Sequence, residues 1–285
     1  MIIGQKVCVS RSLLTCKGNR RIFELPAVMI AVLRKSLIFI PISILCFALK
    51  PDALNLAPPP GRMNALPGRT LWVWERPEDL RTVDPRATAI ATLNSTIVLG
   101  NTAIVIPRRQ PFIYPAGITR IAVVRIESAG PIAPALEKPT VDLILGSIGD
   151  PSLAALQIDF DARRSERDFY ASVLRDLRCR MPPELPLSMT ALASWCSSDD
   201  WIGGLPIDEA VPMFFRMEPD RRYSPAELPQ FRIREPLCMG SIGISTRERR
   251  PVSVAGKRVY IFPDRGWRED LPLIAEDKLN QRTKP

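Results

Sequence analysis

The chain has 285 residues, of which 46% are apolar, so it can bury a full hydrophobic core. Its formal charge of +9 is concentrated in residues 1–50, which hold eight basic residues and one acidic residue, while the remaining 235 residues carry only +2. The body therefore lacks the basic surface of nucleic-acid-binding proteins, and we expect no nucleic-acid partner. The sequence has no histidine, which excludes imidazole from both catalysis and metal binding.

An apolar run at residues 37–49 directly follows Arg34 and Lys35. Its 13 residues fit the core of a secretory signal, which needs about 7 to 15, better than a membrane span, which needs about 20. We predict a leader over residues 1–50 with Met29 as an alternative start, a proline-rich linker over 51–68, and export, most simply to the periplasm. The alternatives are a buried helix or an uncleaved anchor, and the anchor would be the only membrane contact.

Short runs rich in β-branched and aromatic residues recur from residue 69 to residue 275, a pattern typical of parallel βα units. Eight strands are predicted, at 70–75, 88–93, 120–127, 155–161, 187–192, 209–217, 237–245 and 257–262. The clearest helix is an amphipathic run that begins at Ser165 and ends before Pro182. The sequence therefore predicts a single α/β domain over 69–275, a (β/α)8 TIM-type barrel with distorted or incomplete helices, followed by a polar tail over 276–285. An open doubly wound sheet is the alternative.

Neither a nucleotide-binding glycine loop nor a metal-ligand pattern follows any predicted strand, so we expect no cofactor and no metal. The six cysteines, at positions 8, 16, 46, 179, 196 and 238, show no paired CxxC spacing. If the leader is removed, one disulfide among Cys179, Cys196 and Cys238 is open to formation, and the sequence does not select the pair.

Polar side chains end several predicted strands, which is where barrel enzymes carry their functional groups. Within QIDFDA, Gln157, Asp159 and Asp161 share one face of a strand. Two carboxylates about 6.6 Å apart along a strand repel each other, which favours a protonated acid beside an ionised partner. We predict Asp159 and Asp161 as catalytic carboxylates, with the strand-end residues Glu75 and Glu127 as further candidates.

A second set of strand-end residues is predicted to bind substrate: Gln157, Thr190, Trp195, Arg216 and Trp267. Aromatic rings at such positions can form the floor of a sugar-binding cleft. Two alternatives remain open: the tryptophans belong to the core, or Asp159 or Asp161 pairs with Arg125 or Arg216 for structure alone.

Several strings of this sequence, among them LQIDFDARRSERDFYASVLRDLR, LPLSMTALASWC, DEAVPMFFRM, WERPEDLR and YIFPDRGW, resemble a bacterial family known as domain of unknown function 3142. The resemblance covers residues 69 to about 270 and implies a barrel related to glycoside hydrolases. The IDFD segment is also similar to the fourth-strand motif D-x-x-D-x-D-x-E of chitinase-like glycosidases, whose last Glu is the acid. The chain departs from that motif, because either Arg163 occupies the acid position or Gln157 replaces an aspartate.

Three functions are consistent with these features. The first is an exported glycoside-hydrolase-like enzyme in which Asp161 is the acid, Asp159 is its partner, and Arg216 or Trp195 holds a polysaccharide or cell-wall glycan. The second is a non-catalytic saccharide- or peptidoglycan-binding protein, which the missing Glu favours. The third is a structural or partner-binding protein of the cell envelope.

Overall fold

Eight parallel strands close into a barrel in the computed structural model, which describes residues 61–215, 232–247 and 254–275. The ring closes because β1 pairs in parallel with both β11 and β3. This confirms the predicted barrel, and the open sheet is wrong. The described strands are β1 (Arg69–Val73), β2 (Glu78–Asp79), β3 (Thr88–Leu99), β4 (Ala103–Pro107), β5 (Phe112–Ile113), β6 (Thr119–Ser128), β7 (Ala155–Asp159), β8 (Leu187–Leu192), β9 (Glu209–Met213), β10 (Ser241–Ser245) and β11 (Arg258–Phe262).

Three of these strands lie outside the ring. Strand β4 pairs antiparallel with the second half of β3, from Ser95 to Leu99, while the first half of β3 pairs with β1. A bulge between Leu93 and Ser95 marks the change along β3. Strands β2 and β5 form a separate two-stranded sheet.

Helices cover only part of the barrel wall within the described ranges: α1 (Glu137–Ser147), α2 (Arg167–Arg180), α3 (Ala193–Ser197) and α4 (Trp267–Ala275). Helix α2 is the predicted amphipathic helix. The carboxylate of Glu166 accepts a hydrogen bond from the backbone N–H of Arg163 at 2.7 Å and so caps the turn before α2. Tyr170 and Leu174 on its apolar face are fully buried against the barrel.

The alternation of side chains along each strand separates two apolar layers. On β7, Leu156 and Ile158 pack outward against the residues of α2, whereas Ala155 packs inside the barrel with Trp72 and Tyr260. The same alternation therefore directs Gln157 and Asp159 to the interior.

A short 3-10 helix, Arg62–Ala65, closes the N-terminal end of the barrel. Met63 is buried among the interior side chains. Arg258 donates hydrogen bonds to the carbonyls of Met63 and Pro67 and forms an ion pair with Glu209 at 2.5 Å. Burial raises the pKa of Glu209, and Arg258 and Tyr260 act in the opposite direction. The last residues of the predicted linker thus pack as part of the barrel.

The predicted leader, the tail and Arg216 lie outside the described residues. In the described ranges, no helix has both the length and the apolar character that crossing a membrane requires.

Candidate functional site

Asp159 ends β7 at the barrel mouth, the end of the ring where the parallel strands have their C-termini. Its side chain is 3% exposed, so its charge needs partners. Arg125 on β6, which lies opposite Asp159 in the strand register, donates to Oδ2 at 2.8 Å. Thr190 on β8 donates to Oδ1 at 2.7 Å. Both carboxylate oxygens of Asp159 are therefore held by neighbouring strands.

Arg125 connects this buried carboxylate to the surface of the mouth. Its Nε donates to Glu127 Oε1 at 2.8 Å, and its guanidinium lies 5.7 Å from the centroid of the Trp74 ring. Because the guanidinium contacts two carboxylates and one aromatic face, it is fixed in position. Glu127 remains largely open to solvent, with a side chain that is 52% exposed.

Asp161 follows the end of β7, in a turn where the Ala162 N–H donates to the Phe160 carbonyl at 2.8 Å, and it is exposed. Within the described part of the chain, its carboxyl group makes no hydrogen bond or ion pair. Removal from water by the surrounding protein raises its pKa, and the negative charge of Asp159 raises it further, while Arg125 lowers it. Asp161 is thus an accessible carboxyl group that retains a proton more readily than an ordinary aspartate.

Four aromatic rings on β1 and β11, or just after β1 and β9, form a continuous surface inside the barrel, here called the aromatic wall: Trp72, Trp74, Phe215 and Phe262. Trp72 stacks on Phe262 with centroids 4.6 Å apart, and Phe215 contacts the same ring at 4.5 Å. Trp74 lies 5.3 Å from Trp72 and is half-buried. The buried indole N–H of Trp72 has no hydrogen-bond partner among the described residues.

Gln157 and Thr190, predicted to bind substrate, lie below the mouth and not on its surface. Gln157 is fully buried and donates to Ser188 Oγ at 3.0 Å, and its Oε1 has no partner in the described ranges. Thr190 is 1% exposed. The structure therefore gives Thr190 the role of holding Asp159 and gives Gln157 a place in the polar interior.

The structure places Trp195 and Trp267 in the core. Trp195 on α3 packs edge-on against Trp201 at 4.9 Å in the outer layer. Trp267 is fully buried and donates its indole N–H to the carbonyl of Trp72 at 2.8 Å. Neither ring is accessible to a sugar. Both tryptophans are core residues, which was the alternative to substrate binding.

Unlike the other predicted catalytic carboxylates, Glu75 binds the backbone of a loop. Its Oε1 accepts the backbone N–H groups of Arg109 and Gln110, both at 2.9 Å. The sequence predicted Glu75 as the last residue of the first strand, whereas β1 ends at Val73, and no local pattern showed that the Glu75 side chain binds this loop.

Sequence reasoning did not select the half-buried Trp74 from the five tryptophans that follow or lie on predicted strands, and it missed the role of Arg125 in joining the residues of the mouth. The alternation in TLWVWE places Trp72 and Trp74 on one strand face, so the signal for a shared aromatic surface was present. Arg125 was named only as a partner for structure, because its contacts with Glu127 and Trp74 depend on side-chain conformations.

A disulfide joins Cys196 on α3 to Cys238, which selects one of the pairs that the sequence left open. The backbone N–H groups of Arg234 and Glu235 donate to the carbonyl of Cys196 at 2.8 and 3.2 Å. The bridge thus fastens the segment before β10 to the loop that follows β8.

A family model described as domain of unknown function (DUF3142) matches residues 121–213. The match runs from β6 to β9 and so includes Arg125, Asp159, Asp161 and Thr190. This supports the resemblance to that family. No curated protein matches the chain.

Proposed function

We propose that the protein is an exported, carbohydrate-active barrel whose mouth binds a polysaccharide or cell-wall glycan and hydrolyses a glycosidic bond. The observation that carries the proposal is the pair of carboxyl groups at the end of β7. Asp161 is an exposed carboxyl group with a raised pKa, and it lies next to a carboxylate, Asp159, that is fixed by Arg125 and Thr190. Most glycosidases use two catalytic carboxyl groups that lie in different environments.

The two carboxyl groups have different roles in this proposal. Asp161 donates its proton to the glycosidic oxygen as the C–O bond breaks. The fixed carboxylate of Asp159 stabilises the positive charge that develops on the sugar ring. Water then adds to the sugar and returns a proton to Asp161, which completes the cycle.

The aromatic wall gives the sugar a surface on which to pack. The accessible part of Trp74 offers an apolar face to the C–H groups of a pyranose ring. Arg125 fixes the position of this indole through its contact at 5.7 Å, so the ring and the carboxyl pair are held by the same residue.

Export is supported by two independent features. The apolar run after Arg34 and Lys35 has the length of a signal core. The disulfide between Cys196 and Cys238 is of a kind that persists in oxidising compartments such as the periplasm.

A second candidate function is saccharide binding without hydrolysis. It is favoured because the predicted catalytic carboxylates other than Asp161 are already bound to protein groups. Asp159 and Glu127 are both bound to Arg125, and Glu75 is bound to loop amides. Asp161 is therefore the one nominated catalytic residue without a bonded partner in the described ranges, which leaves a single acid to support catalysis.

The test combines glycan-array binding with hydrolysis assays on chromogenic glycosides and on purified peptidoglycan. Wild-type protein is compared with Asp161→Asn and with a control, Asp168→Asn, which changes an exposed aspartate on α2. We expect Asp161→Asn to lose hydrolysis by at least about a hundredfold while Asp168→Asn retains it. Binding without hydrolysis would establish the second candidate. If the wild type neither binds nor cleaves any glycan, both are wrong, and a structural or partner-binding role remains.

A further inference from the structure

Strand β4 carries a concentrated group of exposed apolar side chains. Ile104, Val105 and Ile106 are 58%, 36% and 44% exposed. In the described part of the chain β4 pairs only with β3, so its other edge is open. Residues 103–107 contain no charged residue, although charges are a common means by which natural proteins protect an exposed strand edge.

The hydrogen-bond pattern shows which backbone groups face outward. At the two ends of the β3–β4 ladder, Arg108 N–H donates to the Asn94 carbonyl at 2.9 Å and Gly100 N–H donates to the Thr102 carbonyl at 3.1 Å. Hydrogen-bonded pairs alternate along an antiparallel ladder, so Ile104 and Ile106 direct their backbone groups to β3. Val105 and its neighbours at 103 and 107 therefore direct theirs to the open edge.

We propose that β4 pairs antiparallel with β4 of a second copy of the chain, with the two Val105 residues opposite each other. In this register the two Val105 residues exchange both of their backbone hydrogen bonds, and each Ala103 N–H donates to the carbonyl of Pro107 in the other copy. Pro107 has no N–H to leave unpaired. Ile104 of each copy lies beside Ile106 of the other, so the apolar face is complementary to itself.

The charges that flank β4 favour the antiparallel orientation of the two copies over a parallel one. Arg108 and Arg109 directly follow the strand, and Asn101 and Thr102 precede it. In the antiparallel register centred on Val105, the arginines of each copy lie opposite the neutral residues of the other. A parallel arrangement would bring all of the arginines together at one end, where like charges repel.

The size of the contact determines how strong the dimer is. Stable complexes bury about 800 Å² on each partner, and a strand of five residues with its side chains covers considerably less. We therefore expect a reversible, concentration-dependent dimer, and not an obligate one.

The first experiment is sedimentation velocity of the full chain over a wide range of concentration. Val105→Pro removes an outward N–H without removing a β3–β4 hydrogen bond, and Val105→Thr is the matched control that keeps this N–H. We expect wild type and Val105→Thr to dimerise with rising concentration and Val105→Pro to stay monomeric with an unchanged Tm. A wild type that stays monomeric, or a folded Val105→Pro that dimerises equally well, would overturn the proposal.

A second readout does not depend on the proline variant folding. The Cα atoms of a hydrogen-bonded antiparallel pair are about 5.5 Å apart, which suits a disulfide. Under mild oxidation we expect Val105→Cys to form a covalent dimer. Ile113→Cys, on β5, changes a residue that is even more exposed, at 46% against 36% for Val105, and is expected to remain monomeric. Equal cross-linking of the two variants would indicate random collision and would contradict the proposed register.

Discussion

Asp159 and Asp161 lie two residues apart at the end of β7, yet their surroundings differ. Asp159 is buried, and Arg125 and Thr190 hold both of its carboxylate oxygens. Asp161 is accessible and has no bonded partner in the described ranges, and both the surrounding protein and Asp159 oppose its ionisation. Substitutions at the two positions should therefore change stability in opposite directions.

Replacing Asp159 with asparagine should destabilise the protein, because Arg125 loses its buried partner. Removing one partner of a fully buried ion pair costs about 3 to 5 kcal/mol. The side chain of Arg125 is 30% exposed and also contacts Glu127, so we expect about 1 to 3 kcal/mol, or a fall in Tm of about 3 to 10 °C. The measurement is thermal unfolding followed by circular dichroism.

The control for this variant is Glu127→Gln, which breaks the more exposed ion pair of the same arginine. Exposed pairs contribute about 0 to 1 kcal/mol, so this variant should melt close to wild type. A larger loss in Glu127→Gln than in Asp159→Asn would show that the buried contact is not the stabilising one.

Asp161→Asn should raise the Tm at pH 7 by about 1 to 3 °C. Because the pKa of Asp161 is raised by folding, the folded state is most stable below the ordinary pKa of aspartate and loses stability as the pH rises through the raised value. An asparagine at position 161 does not ionise, so the variant avoids this loss of stability. Melts of both proteins from pH 3 to pH 8 should therefore coincide at the acidic end and separate toward neutrality, and a lower Tm for the variant at pH 7 would contradict this.

The residue-scale result shows what the sequence could predict. The period of two along a strand was sufficient to place Gln157 and Asp159 on one face, whereas Asp161 follows the end of β7, where this alternation no longer applies. Which of the two aspartates is bound depends on the register between strands, since Arg125 and Thr190 come from sequence positions 34 and 31 residues away. No local pattern carries that information.

Among the elements, the strands of the barrel were easier to predict than the structures between them. All eight predicted runs contain a strand of the ring, because each is apolar on its outward face. Strand β4 was missed, although Gly100 and Asn101 give a turn signal before a run of β-branched residues. The predicted strand over 237–245 is a strand only from Ser241 onward, because Leu237 and Cys238 belong to a 3-10 turn that begins at Pro236.

Strand β10 contains a glycine whose substitution tests the packing of the aromatic wall. A Cβ at Gly243 would lie 3.2 Å from Cε2 of Phe262 and 3.4 Å from the carbonyl oxygen of Pro212. The phenyl ring is held by Trp72 and Phe215, so it has little room to move. We expect Gly243→Ala to destabilise the fold by about 1 to 3 kcal/mol in urea unfolding.

A matched control is available just before the same strand. At Gly240 the nearest atom to an added Cβ is 3.9 Å away, which is ordinary van der Waals contact, so Gly240→Ala should unfold near the wild-type midpoint. If the two variants unfold at the same denaturant concentration, the close contact with Phe262 is not a constraint on the barrel.

At the scale of the whole molecule, ring closure makes the strands depend on one another. Strand β1 pairs with β3 on one side and with β11 on the other, so its loss would open the barrel. The sequence predicted eight parallel strands but left an open sheet as the alternative, because closure depends on the pairing of the first strand with the last.

We expect the described part of the chain to unfold in one cooperative transition. Trp72 and Trp267 report on the barrel and its closing helix, whereas Trp195 and Trp201 report on the outer layer near α2. Tryptophan fluorescence and far-ultraviolet circular dichroism should therefore give the same midpoint in urea. Two separate midpoints would indicate that part of the ring unfolds independently.

The 3-10 turn around Met63 determines how the protein can be presented in an experiment. The chain reaches β1 through this turn, at the end of the ring opposite Asp161 and Trp74. A biotin or an affinity tag placed directly before Gly61 would therefore attach the protein to a sensor surface through the N-terminal end of the barrel. Immobilised in this way, the described barrel would turn its mouth toward the flowing solution, where a soluble ligand such as the proposed glycan could reach it.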